Sequence, residues 1–264
     1  VGSTINRYDN SFSLYSANAD KKLYSDFSKS DIFINFGSGA FFHNKWKNYD
    51  FPGKSKLYQA IQGKEGRDFH AIDLCEPSLK IPEKDNSVSM VYCSHTLEHI
   101  EQEAAKRFLK ECHRIMKPNG VMRIALPNTK NNFYLYECLA KQFEDGDVIE
   151  ENYLRSCATE ILADTENLLT NEIRDLFKAA DKNSRSFYNS IKNKKKSFTR
   201  FDNFDPGRHI TYWDFETLID LIKELSFHYC IPFYQGSSVL APYSNLSVFD
   251  NTESHISFYA DIIK

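Results

Sequence analysis

The sequence predicts an α/β fold with a mostly parallel sheet, and three observations carry the prediction. Short apolar runs of strand length recur between residues 31 and 126, each bounded by turn-forming residues. A long stretch with helical periodicity separates the last two of these runs. After a helical interruption, the alternation of strand and helix resumes toward residue 264. Strands that alternate with helices imply right-handed crossovers and parallel pairing. A chain of 264 residues supports one large domain, or one domain with a substantial insertion.

Residues 1–30 are polar and read as an N-terminal arm with a short helix near Ala19–Phe27. Asp31–Phe36 is an apolar run ending in Gly37-Ser38-Gly39, the pattern of a buried strand feeding a tight turn. Trp46–Phe51 reads as a second strand, stopped by Pro52-Gly53. Phe69–Ile72 is a third, and Val88–Cys93 a fourth, introduced by Asp85-Asn86-Ser87. From about Thr96 to Met116, Leu97, Ile100, Ala104, Phe108, Cys112 and Ile115 recur at helical spacing and form one apolar face. Pro118-Asn119-Gly120 ends that helix, and Val121–Leu126 is a fifth strand closed by Pro127.

Residues 131–205 break the alternation. Helical periodicity in Leu135–Phe143 and Glu160–Ala180, followed by the basic run Lys192–Lys196, predicts an inserted helical cap with the lysines on a solvated face. A helix at Trp213–Leu225 and strands at His228–Tyr234 and His255–Ile263 complete the fold. The expected division is residues 1–130 for the arm and first half of the α/β domain, 131–205 for the cap, and 206–264 for the remainder.

Composition narrows the function. The net charge of -3 argues against a dedicated nucleic-acid binder, which would carry a basic excess. No apolar run reaches the roughly 18–20 residues needed to span a bilayer. The first residues lack the basic-then-apolar pattern of a secretory leader. The six cysteines, Cys75, Cys93, Cys112, Cys138, Cys157 and Cys230, form no C-x-x-C pair. They read as reduced thiols in a cytoplasmic protein.

Four motifs carry chemistry. Gly37-Ser38-Gly39 lets the backbone turn sharply and approach a ligand closely, although a plain turn would use the same residues. Asp50 ends the next strand, where a carboxylate can accept hydrogen bonds from both hydroxyls of a ribose. Asp73 and Leu74 follow the third strand, placed to meet a purine by its amino group and its face. Cys93-Ser94-His95-Thr96-Leu97-Glu98-His99 sits where the fourth strand leaves the sheet, at the carboxyl edge that binds ligands in open α/β folds.

These segments resemble the class I S-adenosylmethionine-dependent methyltransferases of the type-11-like branch. The resemblance rests on INFGSG, KWKNYD and IDL, then IPEKDNSVSMVYCSHTLEHI and FLKECHRIMKPNGVMRIALPN, and later GRHITYWDFETLIDLIKELSF. It implies a Rossmann-like seven-stranded sheet, mostly parallel with an antiparallel last strand, and a helical insertion as cap. Residues 1–130 would then hold the cofactor-binding half. Gly37, Ser38 and Gly39 would wrap the methionine part of S-adenosyl-L-methionine, and Asp50 would hold the ribose. Asp73 and Leu74 would frame the adenine, and Ser94 and His95 would line the cleft beside the sulfonium. Three positions depart from the pattern: Asn35 stands for a frequent acid, Ser89 for an Asp, and Asn119 for a Gly.

Methyl transfer to an alcohol also needs a base, and His95 and His209 are the candidates, with His43 a third choice. Arg208, beside His209 in the segment returning from the insertion, suits an anionic group on the acceptor. Similar proteins include enzymes from bacterial surface-polysaccharide clusters, so the expected acceptor is a small molecule such as a sugar or a phosphoramidate-type capsule precursor. Two other readings stay open: a non-catalytic scaffold on the same fold, and a zinc peptidase, because His95-x-x-Glu98-His99 also fits the H-x-x-E-H pattern. A nicotinamide dehydrogenase is disfavoured because the G-x-G-x-x-G spacing fails at Phe42.

Overall fold

The computed structural model describes residues 2–5, 12–15, 21–39, 41, 43–53, 69–140, 152, 170–194, 201, 207–251 and 256–264. Strands β1 (Gly2–Ile5) and β2 (Phe12–Tyr15) pair as an antiparallel hairpin. Seven strands form the main sheet: β3 (Ile32–Phe36), β4 (Trp46–Asp50), β5 (His70–Ala71), β6 (Val88–Ser94), β7 (Met116–Pro127), β8 (Tyr229–Phe233) and β9 (Ser257–Ile263). Their order is β5-β4-β3-β6-β7-β9-β8. Strands β3 to β7 pair in parallel, and β9 runs antiparallel to both β7 and β8. This is the Rossmann-like sheet expected, with the antiparallel last strand in place.

The sheet is buried on both faces, which is why its central strands read as apolar runs. Along β6, Val91 and Cys93 join the core on one face, where Phe108 and Cys112 of helix α1 (Gln102–Ile115) and Leu218 of helix α5 (Phe215–Lys223) cover them. Met90 and Tyr92 face the other side, against Tyr24, Trp46, Tyr243 and Phe249. Helices α2 (Thr129–Ala140), α3 (Thr170–Ala179) and α4 (Ser184–Lys194) bury a smaller cluster of their own around Phe133, Ile173 and Phe187.

Several elements differ from the sequence reading. The helix expected from Thr96 begins only at Gln102, and Leu97–His99 form a single 3-10 turn. The Glu98 carbonyl accepts from the amides of Ile210 (2.7 Å) and Thr211 (3.2 Å), so it is taken by the returning chain instead of by a helix. Strand β7 begins at Met116, directly after α1, and runs through Pro118-Asn119-Gly120; Asn119 adopts φ +63, a conformation a Gly would take readily. The arm has one helical turn at 21–23. Within the expected cap, 141–151, 153–169 (Cys157 among them), 195–200 and 202–205 lie outside the described residues, and so does Phe42. The other five cysteines are unbridged. Among the described residues, no helix is long and apolar enough to cross a membrane.

Candidate active site at the switch point of the sheet

The strand order reverses between β3 and β6: the chain leaves β3 toward β4 on one side and continues from β6 toward β7 on the other. Open α/β sheets bind ligands in the crevice at such a point, beyond the carboxyl ends of the strands. Phe36 pairs with Cys93 across these strands, so the turns Gly37–Gly39 and Ser94–His99 leave the sheet side by side.

Gly37 is required by that neighbour. Gly37 has φ +65, and a Cβ on it would lie 2.0 Å from Thr96 Oγ1. Gly39 has φ +50, but its Cβ direction is open, with no atom within 4 Å. The Gly39 amide donates to Asp50 Oδ2 (3.0 Å), and the Phe51 amide donates to Asp50 Oδ1 (2.8 Å). Asp50 is thereby fixed at the end of β4, where it is buried. An open backbone surface beside an oriented carboxylate fits the methionine and ribose parts of an adenosyl cofactor.

Asp73 and Leu74 follow β5, and the Ile72 amide bonds the Asp50 carbonyl (2.9 Å). Asp73 Oδ1 accepts from the Cys75 amide (2.8 Å), which fixes the turn, and Leu74 is buried in the main core. Ser38 is buried between the two glycines, and its amide bonds the Tyr49 carbonyl. Ser94 ends β6, and its carbonyl accepts from Thr96 Oγ1 (3.1 Å).

His95 adopts φ +48, uncommon for a non-glycine residue. That turn aims its ring between two partners: Nδ1 lies 3.1 Å from Glu98 Oε1, and Nε2 lies 2.8 Å from the Ser257 hydroxyl. Glu98 is 1% exposed and is the centre of the site. His99 Nε2 stands 3.8 Å and His209 Nε2 4.0 Å from the same carboxylate oxygen. Burial opposes ionisation of Glu98, but the three imidazoles outweigh it and bring the carboxyl down to about 2. His99 is pulled the other way: burial lowers its pKa, against the attraction of Glu98.

The structure therefore gathers His95, His209 and Arg208 at one place, through their contacts with Glu98 and His99. Arg208 contributes its carbonyl, which accepts from His99 Nδ1 (3.1 Å). His43 packs its ring on Tyr24 and accepts at Nδ1 from the Lys45 amide (3.2 Å). Sequence reasoning undervalued Glu98 and missed Ser257. The H-x-x-E-H spacing was the available signal for Glu98, whereas Ser257 arrives from a strand 162 positions away. The peptidase geometry of two histidines one helical turn apart is not formed, because His95 precedes the 3-10 turn in a left-handed conformation.

The departures at β3 and β6 have local partners. Asn35 Nδ2 donates to Asn48 Oδ1 across β3 and β4 (3.4 Å), and the Ser89 hydroxyl donates to Asp31.

Residues 54–124 match the family model described as a methyltransferase domain. No curated relative matches the chain. Among solved structures, a S-adenosylmethionine-dependent methyltransferase from Archaeoglobus fulgidus is similar at 13% identity and a TM-score of 0.44, over 93% of this chain and 92% of that one. One from Thermotoga maritima, described as a possible histamine N-methyltransferase, has 13% identity and a TM-score of 0.41, over 94% and 88% of the two chains. One from Mesorhizobium loti has 11% identity and a TM-score of 0.40, over 93% and 98%. The matched segment spans β5, β6, α1 and the start of β7 in a sheet of Rossmann-like order, and the match implies S-adenosylmethionine as cofactor.

Proposed function

We propose that this protein methylates an oxygen atom of a small molecule, with a sugar or phosphoramidate-type precursor of a bacterial surface polysaccharide as acceptor. The observation that carries the oxygen assignment is the line Glu98–His95–Ser257, with contacts of 3.1 and 2.8 Å. Glu98 orients the imidazole through Nδ1, which leaves Nε2 to receive a proton. An acceptor hydroxyl takes the hydrogen-bonding position that Ser257 holds, or reaches His95 through it. When bound, S-adenosylmethionine supplies a methyl group already activated on sulfur. Gly37, Ser38 and Gly39 hold its methionine portion, Asp50 its ribose, and Asp73 and Leu74 its adenine. Ser94 borders the reacting centre. The His95 ring takes the hydroxyl proton while the acceptor oxygen bonds the methyl carbon.

Residues 131–205 serve in this reading as the cap that covers the cleft and excludes water. Phe133, Tyr136, Phe177 and Phe187 pack together within its described part. Arg208 binds an anionic group on the acceptor, and His209 is the alternative base. The acceptor class is supported by the resemblance of the sequence to surface-polysaccharide enzymes. Incubation with a methyl-labelled donor and a panel of sugar and phosphoramidate acceptors tests it. Label recovered as an O-methyl group is the expected result. Label only on nitrogen or carbon overturns the oxygen assignment.

A further inference from the structure

Glu98 has a second claim on its surroundings. Its side chain is buried, and apart from the 3.1 Å approach of His95 Nδ1 neither carboxylate oxygen has a hydrogen-bond partner among the described residues. A buried carboxylate in that state is costly unless a positive charge sits beside it. His99 faces it in an arrangement that leaves room for one. The Nδ1 of His99 donates to the Arg208 carbonyl (3.1 Å), which turns Nε2 toward Glu98 Oε1, 3.8 Å away. His209 Nε2 approaches the same oxygen at 4.0 Å, and the two rings lie 5.0 Å apart at 60°.

We propose that Glu98, His99 and His209 bind a divalent first-row transition-metal ion of the zinc or iron(II) kind. One ligand atom from each of the three lies within 4.8 Å of the others. Metal–ligand bonds of about 2.1 Å set ligand atoms roughly 3.0–3.4 Å apart, so side-chain adjustments of up to about 1.5 Å close the set. Two imidazoles and one carboxylate are the donors such ions favour, and three protein ligands leave coordination positions open. The site is preformed by the backbone. The residue before His209 accepts from His99, and the residue after it donates to the Glu98 carbonyl (2.7 Å). The Arg208 carbonyl is the outer partner that fixes the tautomer of a ligating histidine. The metal site stands on these residues whatever the reaction. Its use rests on the proposed methyl transfer: an open position beside His95 takes the acceptor oxygen, and the ion lowers the cost of removing its proton.

The test is metal content and affinity. Protein stripped with a chelator and dialysed is titrated with zinc chloride, and bound metal is counted by mass spectrometry. One zinc per chain is expected. Glu98→Gln and His209→Ala should each weaken zinc binding by more than roughly 100-fold, beyond what loss of an outer partner costs. Circular dichroism and melting show whether each variant is folded. Zinc well below one equivalent in folded wild-type protein overturns the site. So does stoichiometric zinc that both folded variants retain with undiminished affinity. Affinity for S-adenosylhomocysteine, measured on the same preparations, reports separately on the methyltransferase reading.

Discussion

His95 Nδ1 lies 3.1 Å from Glu98 Oε1 across a turn in which His95 is left-handed and Glu98 is buried. The strained backbone and the buried acid belong together, because the φ of +48 is what swings the imidazole out of the sheet and onto the carboxylate. In the proposed reaction, removing the imidazole removes the proton acceptor and leaves the proposed cofactor residues in place. His95→Ala should lower turnover by about 10²–10⁴-fold. Affinity for S-adenosylhomocysteine should stay within a factor of about three. Single-turnover rates and calorimetry check the two halves; equal rates for variant and wild type would exclude His95 as the base.

Asp50 is held at the end of β4 by two backbone amides, and the proposed function makes it the ribose anchor. Asp50→Ala should weaken binding of the adenosyl ligand by about 1–3 kcal/mol through loss of charged hydrogen bonds. Calorimetric titration of the folded variant measures this. Unchanged affinity refutes the ribose assignment.

Gly37 meets Thr96 with no room for a side chain. Gly37→Ala combines a left-handed alanine with an overpacked contact and should cost about 2–4 kcal/mol of stability. Adding Thr96→Ala should restore part of that loss. A denaturant melt of the single and double variants decides it, and equal destabilisation in both contradicts the clash.

Arg123 is wholly buried on β7, bonded to Asp250 (2.5 Å), Asp261 (3.0 Å) and the Tyr234 carbonyl (3.0 Å). Removing one partner of such a group strands the others without water. Arg123→Ala should therefore cost about 3–5 kcal/mol. Chemical denaturation gives the value, and a loss under 1 kcal/mol would mean the carboxylates find other partners.

Asp31 anchors the start of β3. Burial opposes its charge, but Lys117 (2.6 Å), the Ser89 hydroxyl and the Ser28 amide (2.7 Å) prevail and hold its carboxyl far below the usual carboxylate range. A depressed folded-state pKa adds stability that is complete above the unfolded value, about 3.9 for Asp, and is lost as pH falls below it. The stability gap between wild type and Asp31→Asn should therefore narrow as the pH is lowered from about 5 to about 2. Melting temperatures across that range check the sign, and a constant gap removes Asp31 from the acid response.

The sequence by itself determined the sheet and placed the glycine turn and Asp50 on one edge of it. Strands such as Asp31–Phe36 and Val88–Cys93 are apolar because both faces are covered, and that pattern survives any uncertainty about order. The glycine turn and Asp50 were legible because each sits at the end of a local element, and local spacing places both on one edge. Only the tertiary structure decided what surrounds Glu98. His209 and Ser257 come from distant segments, and the bonds from Ile210 and Thr211 to the Glu98 carbonyl keep residues 97–99 out of the helix that their apolar spacing suggests. Helical periodicity reports which residues are buried, but it does not report which carbonyls a remote strand of chain will claim.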